Sequence, residues 1–282
     1  MTTERPPGFH VIPGRAVDAS AYEQFTGRWS RLFVPLVLEA ADIQPGDQVL
    51  DMCTGTGEAA IAIAPAISPA GCLIGVDIAS PMLESARGRL NEPIFLPVAA
   101  DGQALPFPNR CFDAVVCQLG LQFFPNPGLG LKELRRVLRD GGRAGICVIS
   151  SPDRAPMWGI LADLLGRLLP EQQQTVHLSF SLRDPARLET LLIDAGFQEV
   201  RIERQTREDS YGSFNEYWDS IEAGIGSIPQ TYLMLPDAAR LAVRQEVRAK
   251  LAEFEAEGRL RMSLEMLIGS GVARPTAPPR GG

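Results

Sequence analysis

Three aspartates and a glycine-rich stretch carry the clearest chemical signal in the sequence. The run DMCTGTGEAA, at residues 51–60, contains the G-x-G-x-x-A spacing of a dinucleotide-binding loop. Asp51 precedes the two glycines, while Asp77 and Asp101 each follow an apolar run that is typical of a buried strand. Because the carboxyl ends of parallel strands share one edge of a sheet, these carboxylates predict a nucleoside site at that edge.

The charges around the loop distinguish between two kinds of ligand. A pyrophosphate binds to backbone N–H groups and to the positive end of a helix, so nearby carboxylates disfavour it. Asp51 and Glu58 flank the loop, and no Lys or Arg occurs from residue 49 to 86. This pattern favours a ligand that carries an ammonium group. Glu58 alone equally fits an acid that stabilises the first turn of a helix.

The other two aspartates predict contacts with the rest of a nucleoside. Asp77 comes twenty residues after Gly57, where a carboxylate can accept hydrogen bonds from two ribose hydroxyls. Asp101 is placed to accept a hydrogen bond from the exocyclic amine of adenine. The alternative for Asp101 is a purely local role, in which it forms a turn before Gly102.

Apolar patterning predicts the elements that position these groups. Strands are predicted at residues 48–52, 71–77, 92–100, 111–120, 143–150, 198–205 and 259–270. Helical segments separate them, including an amphipathic one over 129–140. We therefore predict an α/β fold: a Rossmann-like, seven-stranded, mostly parallel sheet with helices on both faces. About fifty residues, helical over most of 213–257, precede the last strand, and they predict either a lid over the ligand or a decoration that only covers core.

These elements predict six segments along the chain. They are a flexible tail (1–18), an N-terminal helical cap (19–45), an α/β core that binds the cofactor (46–206), a helical lid insert (207–258), the last strand of the core (259–270) and a disordered tail (271–282).

Composition disfavours several classes of protein. A net charge of -7 and scattered arginines argue against a nucleic-acid partner, so we expect a small-molecule substrate. Five cysteines without a C-x-x-C pair predict free thiols, with no disulfide and no metal site. The most apolar stretch is short and contains two prolines, and the first residues lack a signal-peptide pattern, so we expect no membrane span and a cytoplasmic location. Nothing in the sequence indicates the oligomeric state.

Four runs, in this order, resemble the successive motifs of class I S-adenosylmethionine-dependent methyltransferases: VLDMCTGTGEAA, GVDIASPML, AADGQALPFPNRCFDAVVCQLGLQFF and VLRDGGRAGICVIS. They are most similar to the ubiquinone and menaquinone C-methyltransferase branch (methyltransferase type 11). The resemblance is strong over residues 46–150 and weaker over 179–200. It implies S-adenosyl-L-methionine as the cofactor, an antiparallel last strand, and in-line transfer of a methyl group to O or C of a small acceptor. The aromatic pocket candidates named below indicate that the acceptor is apolar or aromatic.

The resemblance also implies a set of cofactor-binding residues. They are Asp51, Cys53, Gly55, Gly57, Asp77, Ile78, Met82, Asp101, Gly102 and Gln118. Cys53 stands where the family usually has Gly or Ala, and Gln122 stands where many relatives have His. Gln118, at the end of the fourth strand, matches a position near the methionine part of the cofactor.

Candidates for the substrate side come from the residues themselves. His177 follows the fifth strand and is our candidate for assisting deprotonation of the acceptor; the alternative is a partly exposed loop histidine. Tyr22 and Trp29, on the N-terminal helix, and Phe123, after the fourth strand, are predicted to line the substrate pocket. Two other functions remain open: an NAD-type oxidoreductase, and a protein that binds S-adenosylmethionine without transferring its methyl group.

Overall fold

The computed structural model describes residues 19–275. One sheet runs through the molecule in the strand order β3-β2-β1-β4-β5-β8-β6, and the two-residue β7 pairs with β8. The strands are β1 (Gln48–Met52), β2 (Cys72–Asp77), β3 (Phe95–Ala99), β4 (Phe112–Gln118), β5 (Leu138–Ile149), β6 (Gln198–Tyr211), β7 (Glu255–Ala256) and β8 (Arg259–Ala273). Strands β1 to β5 are parallel, and β8 runs antiparallel between β5 and β6. The predicted fold class is confirmed.

The helices between the strands cover both faces of the sheet. They are α1 (Ala19–Tyr22), α2 (Arg28–Ser30), α3 (Val34–Ala40), α4 (Glu58–Ile67), α5 (Ser80–Arg89), α6 (Pro127–Val137), α7 (Pro156–Leu168), α8 (Gln173–Val176), α9 (Pro185–Asp194), α10 (Phe214–Glu222), α11 (Ser227–Leu233) and α12 (Asp237–Leu251). A π turn spans Glu23–Gly27, and 3-10 turns span Arg31–Phe33, Leu121–Phe123, Pro152–Arg154, Pro170–Gln172, Leu178–Phe180 and Ala252–Phe254.

Alternate residues of the central strands pack into two separate apolar clusters. Val49 of β1 and Val116 of β4 belong to one cluster, whereas their neighbours Leu50 and Val115 belong to the other. Successive side chains of a strand point to opposite faces, so each face of the sheet has its own core. This double burial explains why the central strands read as continuous apolar runs in the sequence.

Several elements differ in length from the prediction. Helix α6 ends at Val137, and β5 starts at once with Leu138, where a helix was predicted through residue 140. Strand β6 continues to Tyr211, past the predicted start of the insert, and β8 reaches Ala273. The long β6 and β8 pair with each other from Gln198 to Tyr211, and this partner stabilises polar stretches that lack a strand signature on their own.

The insert and the two ends of the chain complete the description of the fold. Residues 212–254, here called the insert, hold three helices, α10 to α12. One break, at residues 223–226, contains Gly224 and Gly226, and the second, at residues 234–236, contains Pro236. Among residues 19–275, no helix has both the length and the apolar character needed to cross a membrane. The predicted tails at 1–18 and, beyond residue 275, at the carboxyl end lie outside the described residues.

Candidate active site

A cavity of about 430 Å³ opens at the carboxyl ends of the central parallel strands. Its walls come from the ends of β1, β2 and β4, from the helical cap at residues 19–40, from Trp158 on α7, and from residues 223–230 of the insert. This is the edge at which open α/β sheets bind their ligands. The insert therefore contributes directly to the wall of the cavity.

Most of the predicted site residues line this cavity. They are Tyr22, Trp29, Cys53, Gly55, Asp77, Ile78, Met82, Asp101, Gly102, Gln118 and Phe123. Three predicted residues do not line it: Asp51, Gly57 and His177. The contacts of these three residues explain their positions.

The glycine loop is held by the carboxylate of Asp77. Asp77 Oδ2 accepts a hydrogen bond from the Gly55 backbone N–H at 3.0 Å, and Oδ1 accepts one from the Ala79 N–H at 2.9 Å. Gly55 and Gly57 have φ values of 55° and 89°, which L-residues rarely adopt. Burial raises the pKa of the Asp77 carboxyl above its ordinary value. Asp77 thus positions the loop and also borders the cavity.

Asp51 lies at the end of β1 but is only 1% exposed. Its Oδ2 accepts a hydrogen bond from the Thr54 hydroxyl at 2.7 Å. Burial raises the pKa of Asp51 to about 7, and this bond from Thr54 opposes the rise. The partner that a buried carboxylate requires is therefore a hydroxyl within the loop. Gly57, which is also outside the cavity, packs against Ala86 and Leu90.

Glu58 has two cationic partners that the local sequence does not reveal. Arg89 Nη1 lies 2.8 Å from Glu58 Oε1, and Arg31 Nε lies 2.8 Å from Glu58 Oε2. Both arginines lie outside residues 49–86, so a local count of charges misses them. Glu58 is an ion-pair residue that joins the glycine loop to the cap, and it does not line the cavity.

Cys53 has the left-handed backbone conformation that glycine adopts most easily. Its φ is 61°, and its side chain packs so closely on Gly120 that a Cβ there would lie 2.4 Å from Cys53 Sγ. A hydrogen bond with Cys117, together with burial, raises the pKa of the Cys53 thiol well above its usual range. Cys53 is therefore a neutral thiol in the cavity wall, and the loop closes around it.

His177 lies away from the cavity and has two hydrogen-bond partners of its own. Its Nε2 is 2.9 Å from Asp163 Oδ1, and its Nδ1 is 3.0 Å from the Gln173 carbonyl oxygen. A general base must reach the proton that it removes, directly or through one water. This position does not support the catalytic role predicted for His177.

The structure adds residues that sequence reasoning did not select. Trp158, Gln122 and Ser227 line the cavity, and each has a buried side-chain polar atom without a hydrogen-bond partner in the described structure. Trp29 Nε1 and Gln118 Oε1 are in the same state. Native proteins rarely leave such atoms unpaired, so this concentration in one cavity indicates a ligand or bound water. The sequence shows that Trp158 is an aromatic residue, but it does not show that its ring packs against Trp29.

The residues present fit S-adenosylmethionine better than a dinucleotide. Ile78 keeps 47% of its surface exposed beside the fully buried Met82, so an apolar face remains free for an adenine ring. Asp77 and Asp101 are the carboxylates of the lining, and within residues 19–275 no Lys, Arg or His borders the cavity. A sulfonium and an ammonium group suit this charge distribution, whereas a pyrophosphate has no cation to pair with.

A family comparison identifies the chain. The model of the ubiE/COQ5 methyltransferase family matches residues 27–208. The chain belongs to this family. It is 32% identical over 186 residues to a demethylmenaquinone methyltransferase of Corynebacterium kroppenstedtii, covering 62% of this chain and 78% of the relative. It is 29% identical over 196 residues to the ubiquinone/menaquinone biosynthesis C-methyltransferase UbiE of Pseudomonas fluorescens, covering 64% and 77%.

Solved structures agree on the fold of this ubiE/COQ5 family member. The YcgJ protein of Bacillus subtilis superposes with a TM-score of 0.57 at 19% identity, covering 88% of this chain and all of that one. Phosphoethanolamine N-methyltransferase 2 of Haemonchus contortus, solved in complex with S-adenosyl-L-methionine, gives 0.59 at 17% identity and covers 91% and 57%. Taken with family membership, the protein is an S-adenosylmethionine-dependent methyltransferase, and the NAD-type reading is not favoured.

Proposed function

We propose that this enzyme methylates an uncharged aromatic acceptor of the quinol type. The relatives are named for menaquinone and ubiquinone methylation, and this is the first support for the proposal. The second support is the cavity itself, whose acceptor-side lining is mainly apolar or aromatic. We propose that Trp29, Phe123, Phe124, Ile149 and Trp158 form the walls for the ring.

We propose that the two halves of the cavity have different tasks. Asp77, Ile78 and Asp101 bind the adenosine part of the cofactor, and Gly55 allows its close approach to the backbone. When bound, S-adenosylmethionine supplies the activated methyl group. Residues 223–230 of the insert close the acceptor side and exclude water, which is the lid role expected from the sequence.

Among the described residues that line the cavity, the only carboxylates are Asp77 and Asp101, which we assign to the cofactor, so no carboxylate or histidine is left to act as a base. The Tyr22 hydroxyl lines it, but burial raises the pKa of that group, and the Cys53 pKa is raised as well, so both stay protonated near neutral pH. We propose that the acceptor atom bonds to the methyl carbon as the carbon–sulfur bond breaks. Sulfur keeps the electron pair, and the acceptor proton passes to water when the closed site opens for product release. A quinol suits this scheme because its hydroxyls already activate the ring.

The direct test is an assay for methyl transfer. Purified enzyme with methyl-labelled cofactor receives reduced demethylmenaquinone or, separately, a reduced demethylated ubiquinone precursor. We expect one labelled methyl on the quinol and none on its oxidised form. Tight binding of S-adenosylhomocysteine without labelled product from either quinol would contradict the proposed acceptor.

The fold by itself does not determine the reaction. The [4+2]-cyclase SpnF has the same fold, with a TM-score of 0.52 at 18% identity. The fold alone is therefore compatible with other chemistry. A cell extract therefore serves as a second source of acceptors in the same assay. A protein that binds the cofactor without transferring its methyl group would give no labelled product with the extract either.

We also propose a cytoplasmic location, on the basis of cysteine chemistry. All five cysteines are free thiols, and such thiols persist in reducing compartments. Cell fractionation tests this location, and recovery of the protein only from an oxidising compartment would contradict it.

A further inference from the structure

We propose that the indole N–H groups of Trp29 and Trp158 and the side-chain amide of Gln122 form an uncharged site that holds an oxygen atom of the acceptor. The inference rests on the proposed function, and it names the residues that select the acceptor. These residues come from three separate segments of the chain: α2 of the cap, the turn after β4, and α7.

The two tryptophans meet at the cavity. Their rings pack edge to face, with centroids 5.4 Å apart and an interplanar angle of 69°. Trp29 is 3% exposed and Trp158 is partly buried, and both line the cavity. Neither Nε1 atom has a hydrogen-bond partner in the described structure. An indole nitrogen is only a donor, so its partner must be an acceptor atom such as oxygen.

Gln122 supplies a third unpaired group. It is 1% exposed, and its backbone carbonyl accepts a hydrogen bond from Ser181 Oγ at 2.7 Å, which fixes the turn. Neither Oε1 nor Nε2 of its carboxamide has a partner. A buried carboxamide left in this state is unfavourable, since both of its atoms lose their bonds to water.

These groups share a simple chemistry. Two donors and one carboxamide can surround a carbonyl, hydroxyl or phenolate oxygen. Since no Lys, Arg or His borders the cavity in the part of the chain that the structure describes, a carboxylate or phosphate on the acceptor would lack a counter-charge. The nitrogen atoms are closed to water here, so an entering acceptor must displace neighbouring side chains to reach them.

The test compares two probes that differ by a single oxygen. Binding of 1-naphthol and of naphthalene is measured calorimetrically on the full-length enzyme saturated with S-adenosylhomocysteine. We expect the wild type to bind 1-naphthol about tenfold more tightly than naphthalene. Trp29→Phe, Trp158→Phe and Gln122→Met should each reduce the preference for 1-naphthol over naphthalene by about three- to tenfold, even where the smaller side chain also weakens binding of both probes.

The matched control is Trp218→Phe. Trp218 is 1% exposed, but its Nε1 donates to Glu222 Oε1 at 3.0 Å, and it does not line the cavity. This variant should keep the wild-type preference for 1-naphthol. Retained affinity for S-adenosylhomocysteine shows that a variant is folded. If one of the three cavity variants does not retain this affinity, the other two test the inference.

Two results would overturn the inference. One is a wild type that does not distinguish 1-naphthol from naphthalene. The other is an unchanged preference in all folded variants, which would mean that these groups do not bind the acceptor oxygen. Either result leaves methylation of a quinol untouched. Conversely, an enzyme that methylates neither quinol but prefers 1-naphthol refutes only the proposed function.

Discussion

Glu58 and Arg89 form an ion pair of 2.8 Å across the glycine loop. The same arginine donates to the Thr56 carbonyl oxygen at 2.8 Å, so it binds the loop twice. The second oxygen of Glu58 pairs with Arg31 of the cap. Gly27 makes this close approach of the cap possible, because a Cβ there would lie 2.6 Å from Glu58 Oε1. The cap that covers the cavity is thus fastened to the loop that we propose to hold the cofactor.

The first prediction concerns this fastening. Glu58→Gln removes the charge that both arginines share, and Glu58 keeps only 10% of its side-chain surface exposed. We expect the free energy of unfolding to fall by about 2 kcal/mol. This loss lies between the losses that are typical when an exposed ion pair and a buried ion pair are broken. Urea denaturation measures the change. Glu39→Gln, which alters an exposed acid of the cap, is the control and should change stability by less than about 0.5 kcal/mol. Equal losses of stability in Glu58→Gln and Glu39→Gln would show that the ion pairs of Glu58 do not stabilise the fold.

The second prediction concerns the pH dependence of stability. The Asp51 pKa is about 7 in the folded protein, against about 3.9 in an unfolded chain. Between these values the folded state binds more protons, so the contribution of Asp51 to stability falls by about 1.4 kcal/mol per pH unit as pH rises, and it is constant above about pH 7. Asp51→Asn lacks this titration.

Urea denaturation across this pH range is the measurement. The stability of Asp51→Asn relative to wild type should rise from about pH 4 to about pH 7 and then level off. Asp219→Asn, which changes an exposed carboxylate on α10, should show no comparable trend. A pH-independent difference between Asp51→Asn and wild type would refute the elevated pKa.

The third prediction concerns Cys53. Replacement by Gly relieves the left-handed backbone strain, worth about 1 kcal/mol, but removes a thiol that packs on Gly120. The gain from the relieved strain and the loss of the packing contact oppose each other, so the loop should keep its conformation. We therefore expect Cys53→Gly to bind S-adenosylhomocysteine with an affinity within a few-fold of the wild type. Cys53→Ala retains the strain and loses the thiol, so it should be the less stable of the two variants. A large loss of affinity in Cys53→Gly would reveal a specific role for the thiol.

The fourth prediction tests the wall that the insert supplies. Gly226 has a φ of 88° and lines the cavity, and Gly258 has a φ of 74° in the turn between β7 and β8. A Cβ at either position meets no atom within 4 Å, so alanine introduces only backbone strain, worth about 1 to 3 kcal/mol. We expect Gly226→Ala to raise the KM for the acceptor several-fold without weakening binding of S-adenosylhomocysteine. Gly258→Ala should leave both unchanged, and an equal KM effect in the two variants would contradict a role for the insert.

The position of Asp77 and Asp101 at the cavity could be predicted because the signals for it are local. Asp77 and Asp101 follow short apolar strands, and the parallel sheet brings such strand ends together whatever the helices do. The two residues that were expected there but do not line the cavity, Asp51 and Gly57, have short-range roles within the loop and against α5. A motif identifies the loop, but it does not tell which of its side chains face the ligand.

The acceptor half depends on contacts between distant segments. Trp29 and Trp158 are 129 residues apart in the sequence, and only the packing of the cap on α7 brings their rings together. Residues 223–230 lie outside the segment that matches the family, which ends at residue 208. The polar extension of β6 also depends on a distant segment, because its partner β8 lies about fifty residues further along the chain. No periodicity within one segment encodes such pairings.

The last prediction concerns His177, whose ring is held between Asp163 and the Gln173 carbonyl. Because His177 does not line the cavity, we expect His177→Ala to keep wild-type turnover over about pH 6 to 9, the range in which a histidine base would change its charge. The variant should lose about 1 kcal/mol of stability, since the two hydrogen bonds disappear. Initial rates with saturating cofactor and quinol measure the first effect, and urea denaturation measures the second. Asp163→Asn is the matched variant, because it weakens the same contact without touching the imidazole. If His177→Ala lost most of its turnover at all pH values while Asp163→Asn did not, the imidazole would have to reach the acceptor through a movement of α8.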